Sequence, residues 1–230
     1  MNFRKLMLAT VASTVAFGGS LAKAGPIEAV YGLQVSDPGA LVSALDTLFQ
    51  ADAMKGNKAT LWAVAFAGTR PSTHVVVATY DSYQAMDEAN GRRLNSDAWR
   101  QYMKTASGFS ERKASVLLTQ VGAWGEGGSE HRAGAAFNMT ISDPARYVAA
   151  IDKLVKSYGA KGMMRLMAVR AGGEGVTHII LMTAPTMAEL NTNLDGLFAS
   201  DAFKTFTAEV GDIRKVQTVN MYQRVKTWSR

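Results

Sequence analysis

The sequence of 230 residues contains no cysteine. That absence excludes a disulfide framework, a thiol nucleophile, cysteine-ligated zinc or iron–sulfur sites and a lipidated cysteine, so stability must rest on an ordinary apolar core. Histidine is nearly as scarce, with three in all. No His-x-x-x-His, Glu-x-x-His or paired-carboxylate pattern accompanies them, and no metal site is expected. The glycine-rich stretch Gly172-Gly173-Glu174-Gly175 joins two strand-like runs and opens no helix, so it is neither a dinucleotide fingerprint nor a phosphate loop, and no cofactor is expected. No run of Lys or Arg is interleaved with aromatics, which argues against a nucleic-acid partner. Beyond the N-terminus no apolar stretch approaches the ~20 residues that a membrane span requires.

What is present begins with a leader. Arg4 and Lys5 precede an apolar run over residues 6–17, which is followed by small residues and Ala22-Lys23-Ala24. This is the pattern of a cleavable secretory signal, and it predicts a periplasmic or secreted protein that is soluble and starts near Gly25. The leader carries three of the 25 basic residues, so the formal charge of +6 falls to +3 once it is removed. Residues 25–127 then hold nine basic and ten acidic side chains, and residues 128–230 hold thirteen and nine. The basicity is a mild bias of the second half.

The rest of the chain says the same thing twice, and internal repetition is read before local detail. Ser36-Asp37-Pro38 returns as Ser142-Asp143-Pro144 at an offset of 106, while Thr73-His74, Ser96-Asp97 and Trp124 return as Thr177-His178, Ser200-Asp201 and Trp228 at an offset of 104. The shift implies a two-residue shortening before the second strand of the later unit. Residues 1–24 are the signal peptide, 25–124 the first unit, 125–133 a linker and 134–230 the second unit. In each unit a strand runs into Ser-Asp-Pro, where an acidic or hydroxyl side chain caps a helix and proline occupies its first turn. An amphipathic helix, a hairpin, a second helical region and a last strand follow. The order βαββαβ, twice, predicts an α+β protein made of two tandem ferredoxin-like repeats packed sheet to sheet as a pseudo-dimeric α/β barrel. Ser96 and Ser200 should cap the end of the second helical region, with Trp99, Tyr102, Phe203 and Phe206 packed inward.

A third strand running into Thr79-Tyr80-Asp81-Ser82 and a helix ending in Ser-Asp-x-aromatic before the fourth strand resemble the antibiotic-biosynthesis-monooxygenase and NIPSNAP-like members of the dimeric α/β-barrel superfamily. The resemblance implies a barrel that most relatives build from two chains and that this chain would build from two halves. It also implies an alternative function, cofactor-independent oxygenation of an electron-rich aromatic in a dry pocket with a polar group for deprotonation. Haem-degrading members carry an asparagine on the first strand, which Asn138 matches, and a histidine on the second helix, which neither repeat has.

His74 and His178 are the sharpest candidates, because two of three histidines occupy matched positions. Strand alternation is read as directing them, with Asn138, toward the opposite half. They could move a proton or meet a ligand. They could equally be strand-initiating residues copied with everything else. Asn138, His178, Tyr222 and Arg224 supply donors and acceptors that could converge, whereas Gly32 and Leu118 stand at matched places in the first half and Trp62 is aligned with Leu166. Any working site is therefore expected in the second half, with His178 and Asn138 as catalytic candidates and His74, His178, Asn138, Tyr222 and Arg224 as ligand-binding candidates. Trp62, Tyr80, Trp124, Tyr222, Trp228 and the twelve methionines could line a cavity for a small apolar or aromatic molecule. The leading expectation is an exported small-molecule-binding or stress-related barrel. A protein-interaction module without a pocket is a third reading, and a homo-oligomer remains compatible with all three.

Overall fold

The computed structural model describes residues 25–68 and 70–230, and the leader lies outside them. Strand β1 (Ile27–Val35), helix α1 (Pro38–Gln50), the hairpin β2 (Lys58–Phe66) and β3 (His74–Tyr80), helices α2 (Tyr83–Leu94) and α3 (Asp97–Ala106), and β4 (Ser110–Gly125) form one series. The second comprises β5 (Ala133–Ile141), α4 (Pro144–Tyr158), β6 (Met163–Ala171), β7 (His178–Ala184), α5 (Met187–Ala199), α6 (Asp201–Val210) and β8 (Arg214–Ser229). The carboxylates of Asp37 and Asp143 accept from the backbone N–H of Ala40 and Arg146 at 2.9 and 3.0 Å, with Pro38 and Pro144 in the first turns. Each cap satisfies a donor that the first helical turn leaves unpaired. Ser96 and Ser200 cap α3 and α6, so each second helical region is two helices rather than one.

The eight strands form one antiparallel closed barrel in the order β1-β3-β2-β8-β5-β7-β6-β4. Within each series the four strands make a ferredoxin-like sheet, and the two sheets join at both edges through β2 with β8 and β4 with β6. The halves are therefore hydrogen-bonded edge to edge, and closure removes the unpaired edges that either sheet alone would expose. The 16-residue strands β4 and β8 make this possible. Their first parts pair with β1 and β5 of their own series, and their last parts with β6 and β2 of the other.

A reciprocal contact locks the closure. The indole N–H of Trp124, ending β4, donates to Asp152 on α4, and that of Trp228, ending β8, donates to Asp46 on α1, both at 2.7 Å. Each half's last strand thus docks on the other half's first helix. Lys226 adds a 2.6 Å contact to Asp46, and its hydrogen bond, with that of Trp228, holds the Asp46 carboxyl below the usual carboxylate range.

One face of every strand meets helices and the other faces the barrel interior. Leu33, Val35, Leu41, Leu45, Leu48 and Leu61 belong to a first-half core, while the second half has one larger cluster around Met139, Tyr147, Ile151, Leu166, Leu190 and Leu197. The strand starts refine the repeat: β1 and β5 begin at residues 27 and 133, β2 and β6 at 58 and 163, and β3 and β7 at 74 and 178. The shortening therefore occurs one residue at a time, first before the hairpin and then within it. Leu61 matches Leu166, both fully buried, and Trp62 matches Met167 rather than Leu166. Among the described residues no helix is long and apolar enough to cross a membrane.

Candidate functional site

Three cavities follow from this layering. One of about 390 Å³ occupies the barrel interior between the halves. Two lie between a sheet and its helices, about 310 Å³ in the first half and about 280 Å³ in the second. The latter two are not equivalent, and the difference begins in α2. Its residues Asn90 and Arg93 stand where α5 has Leu194 and Leu197, which are buried in the second-half core. Tyr80, at the end of β3, stands where β7 has the fully buried Ala184.

These three replacements converge. The first-half core is split into two clusters, one around Leu41 and Leu61 and one around Ile27, Tyr80 and Ala89, and the pocket touches both. Its walls include Tyr31, Phe49, Tyr80, Trp99 and Tyr102. The Arg93 guanidinium lies over the Trp99 ring at 4.5 Å and donates to Asn90 Oδ1 at 2.6 Å. Its Nε is buried and has no hydrogen-bond partner. Burial pushes the Tyr80 hydroxyl above the usual phenol range, partly offset by the nearby Arg93 charge, and burial likewise raises Tyr102. Both phenols therefore stay protonated near neutral pH and serve as donors. Aromatic walls that also carry the guanidiniums of Arg93 and Arg112 and these phenolic donors have the chemistry to meet a flat molecule bearing an oxyanion. No carboxylate or imidazole is among its described lining residues.

The histidines lie elsewhere. His74 pairs with Leu33 and His178 with Met139 across the sheet, and directly paired residues share a face. Both imidazoles are therefore on the helix side, and the expectation that they point toward the opposite half is corrected. The strands β3 and β7 alternate one residue out of phase with that expectation, and a shift of one residue moves every side chain of a strand to the other face. Val75, Val77 and Thr79, with Ile179, Leu181 and Thr183, line the interior instead. Each Nδ1 sits at 3.0 or 2.9 Å from the hydroxyl of the preceding threonine, and burial pushes both imidazoles below their ordinary value. Neither histidine lines any of the three cavities.

Asn138 and Tyr222 do line the barrel interior together, with Trp62. Arg224 does not: its guanidinium donates to the Ser129 carbonyl, and its backbone N–H donates to Arg132 at 2.7 Å. It fastens the connection between the halves, which is tied down further by buried His131, 2.8 Å from the Thr183 hydroxyl. The expected convergence of Asn138, His178, Tyr222 and Arg224 is thus not found. The helix-side polar cluster lies in the first half. Trp124 and Trp228 serve the reciprocal contact and line none of the three cavities.

No family model matches this sequence, and no curated protein does. Solved structures do. A "putative monooxygenase" from Lactobacillus acidophilus superposes with a TM-score of 0.60 at 10% identity, covering 89% of this chain and 96% of that one. Another so described, from Fusobacterium nucleatum, gives 0.60 at 14%, covering 90% and 95%, and an anthrone oxidase-like protein gives 0.57 at 12%, covering 90% and 93%. The chain has the dimeric α/β-barrel fold. Identities this low establish the fold alone, and a fold of this kind hosts unrelated chemistries. The chemistry of this barrel therefore rests on its own pockets. For haem, neither helix-side pocket offers an imidazole among its described lining residues, and the expected asparagine, Asn138, faces the interior rather than either pocket.

Proposed function

We propose that this chain is an exported small-molecule-binding protein, a dimeric barrel fused into one polypeptide by duplication, whose first-half pocket takes an aromatic molecule carrying a carboxylate or phenolate. The observation that carries this reading is the replacement of Leu194 and Leu197 by Asn90 and Arg93, which leaves a guanidinium N–H buried without a partner beside aromatic walls. Such a group is costly to bury, and an anionic oxygen from a ligand would satisfy it. The reading is tested by titrating the mature protein with 2-naphthoate and with its neutral counterpart 2-methylnaphthalene. Arg93→Leu is expected to weaken 2-naphthoate at least tenfold and to leave 2-methylnaphthalene unchanged. Equal affinity of wild type and variant for 2-naphthoate overturns it.

A second reading is cofactor-independent oxygenation in the same pocket. Arg93 beside Tyr80 would stabilise a substrate anion on which dioxygen acts, and the names carried by the similar structures favour the idea. Against it stands the lack of a carboxylate or imidazole among the described lining residues to take the proton. Dioxygen uptake with anthrone in an oxygen electrode, abolished by Arg93→Leu, would establish the enzyme. No uptake above the uncatalysed rate leaves the binding reading.

A further inference from the structure

We propose that the barrel interior is a second binding site, independent of the Arg93 pocket, and that it takes an apolar carboxylic acid. The cavity of about 390 Å³ has walls of Val30, Val77, Val116, Ala136 and Leu181. Its volume lies in the range of small-molecule sites. The space has a cause in the sequence. Where the second half projects Asn138 and Thr218, the first half has Gly32 and Ala114 at matched places. Gly32 also allows the Ser72 hydroxyl to approach, since a Cβ there would meet it at 2.7 Å.

Charge and hydrogen-bond capacity then select the ligand. Glu28 is the one carboxylate among the described lining residues, and it is neutralised by Arg165 at 2.5 Å. Arg70 remains as a lining cation without an acidic partner among the described residues, and its guanidinium donates only to the Thr218 hydroxyl, at 3.3 Å. The Asn138 amide donates to that same hydroxyl at 3.0 Å. Asn220 pairs with lining residue Ala136 and so shares the interior face. It is 1% exposed, and its amide nitrogen has no acceptor. The Tyr222 hydroxyl, raised by burial, stays protonated; the Asn220 amide lies near it but outside hydrogen-bonding geometry, and the Arg70 charge also reaches it. Arg70, Asn138 and Tyr222 thus bring donors to an apolar chamber, and the Asn220 amide on the same strand face has no acceptor. A carboxylate supplies two acceptor oxygens and a charge opposite to Arg70, and an aliphatic tail matches the walls.

The test uses the full mature chain, decanoate as probe and decanol as its neutral counterpart. Trp62, in the cavity wall, reports occupancy through its fluorescence, and Trp62→Phe assigns the signal. Decanoate is expected to bind saturably. Arg70→Leu, at an exposed position, is expected to weaken decanoate at least tenfold while leaving decanol unchanged, and Arg93→Leu should leave decanoate unaffected. The proposal is overturned by absence of saturable binding, by indifference of decanoate to Arg70→Leu, or by its loss in Arg93→Leu, which would place the acid in the helix-side pocket. The 2-naphthoate titration depends on Arg93 and not Arg70, so failure of one site leaves the other standing or falling by its own variant.

Discussion

The double replacement Asn90→Leu/Arg93→Leu restores in the first half the pair that the second half already has, and it separates stability from binding. Leu194 and Leu197 are 4% and 5% exposed, so the positions accept leucine in the matched setting. Removing Arg93 eliminates a buried N–H without an acceptor, a group whose burial costs about 1–3 kcal/mol. Removing Asn90 with it avoids orphaning the partner of their mutual hydrogen bond, and such paired removals are close to neutral. Two losses oppose the gain. The guanidinium over Trp99 contributes about 0.5–1 kcal/mol, and the buried Tyr80 hydroxyl loses a neighbouring charge, at a cost of about 1 kcal/mol. These terms nearly cancel at their midpoints, and the apolar area that two leucines bury at such positions adds about 1 kcal/mol or more, so the net expectation is stabilisation by about 1 kcal/mol, which for a chain of this size raises Tm by about 2–4 °C. Urea unfolding and a thermal scan read the stability, and the 2-naphthoate titration reads the binding. A variant that is more stable and no longer binds marks the polar trio as a functional cost. Destabilisation by more than about 1 kcal/mol with unchanged affinity would show that Asn90 and Arg93 are structural and refute the reasoning.

The reciprocal indole contacts should be unequal. Trp228→Phe loses a hydrogen bond to a carboxylate and shrinks the buried ring stacked on Phe49 at 5.7 Å, so it should cost about 1.5–3 kcal/mol and exceed Trp124→Phe in a urea titration; equal losses refute the inequality, and negligible losses at both count against closure by these residues. Burial lowers the values of His74 and His178, so the unfolded chain binds protons that the folded chain refuses. Stability is full above the ordinary histidine range, near pH 6.5, and declines as pH falls below it toward the depressed folded values. The urea midpoint should drop between pH 7.5 and 5.5, and His74→Gln/His178→Gln should flatten that drop; an unaltered slope would dismiss these imidazoles as its source. Export is checked by intact mass, with a mature N-terminus expected at Gly25 and a retained leader counting against it.

Much of the architecture is local chemistry and could be read directly. Asp37, Asp143, Ser96 and Ser200 announce helix starts because a side-chain oxygen one turn before an apolar stripe has a backbone donor to satisfy, and the duplicated order of elements follows from spacing alone. The pocket was legible in principle too, since aligning the halves sets Asn90 and Arg93 against leucines, and polar residues at core spacing on one helix are a signal. The faces of β3 and β7 were not. Side chains alternate with a period of two, so a one-residue difference in where a strand begins reverses every direction along it, and spacing alone cannot assign the faces of His74 and His178. Nor does spacing reveal that Trp124 reaches Asp152 and Trp228 reaches Asp46, or that Asn220 and Arg70 meet around one chamber. The indole contacts join residues 28 and 182 positions apart, and Arg70 reaches Thr218 across 148; they exist only because the edges β2–β8 and β4–β6 pair across the halves. Local sequence determines which elements form. Non-local closure of the sheet determines which side chains share a cavity.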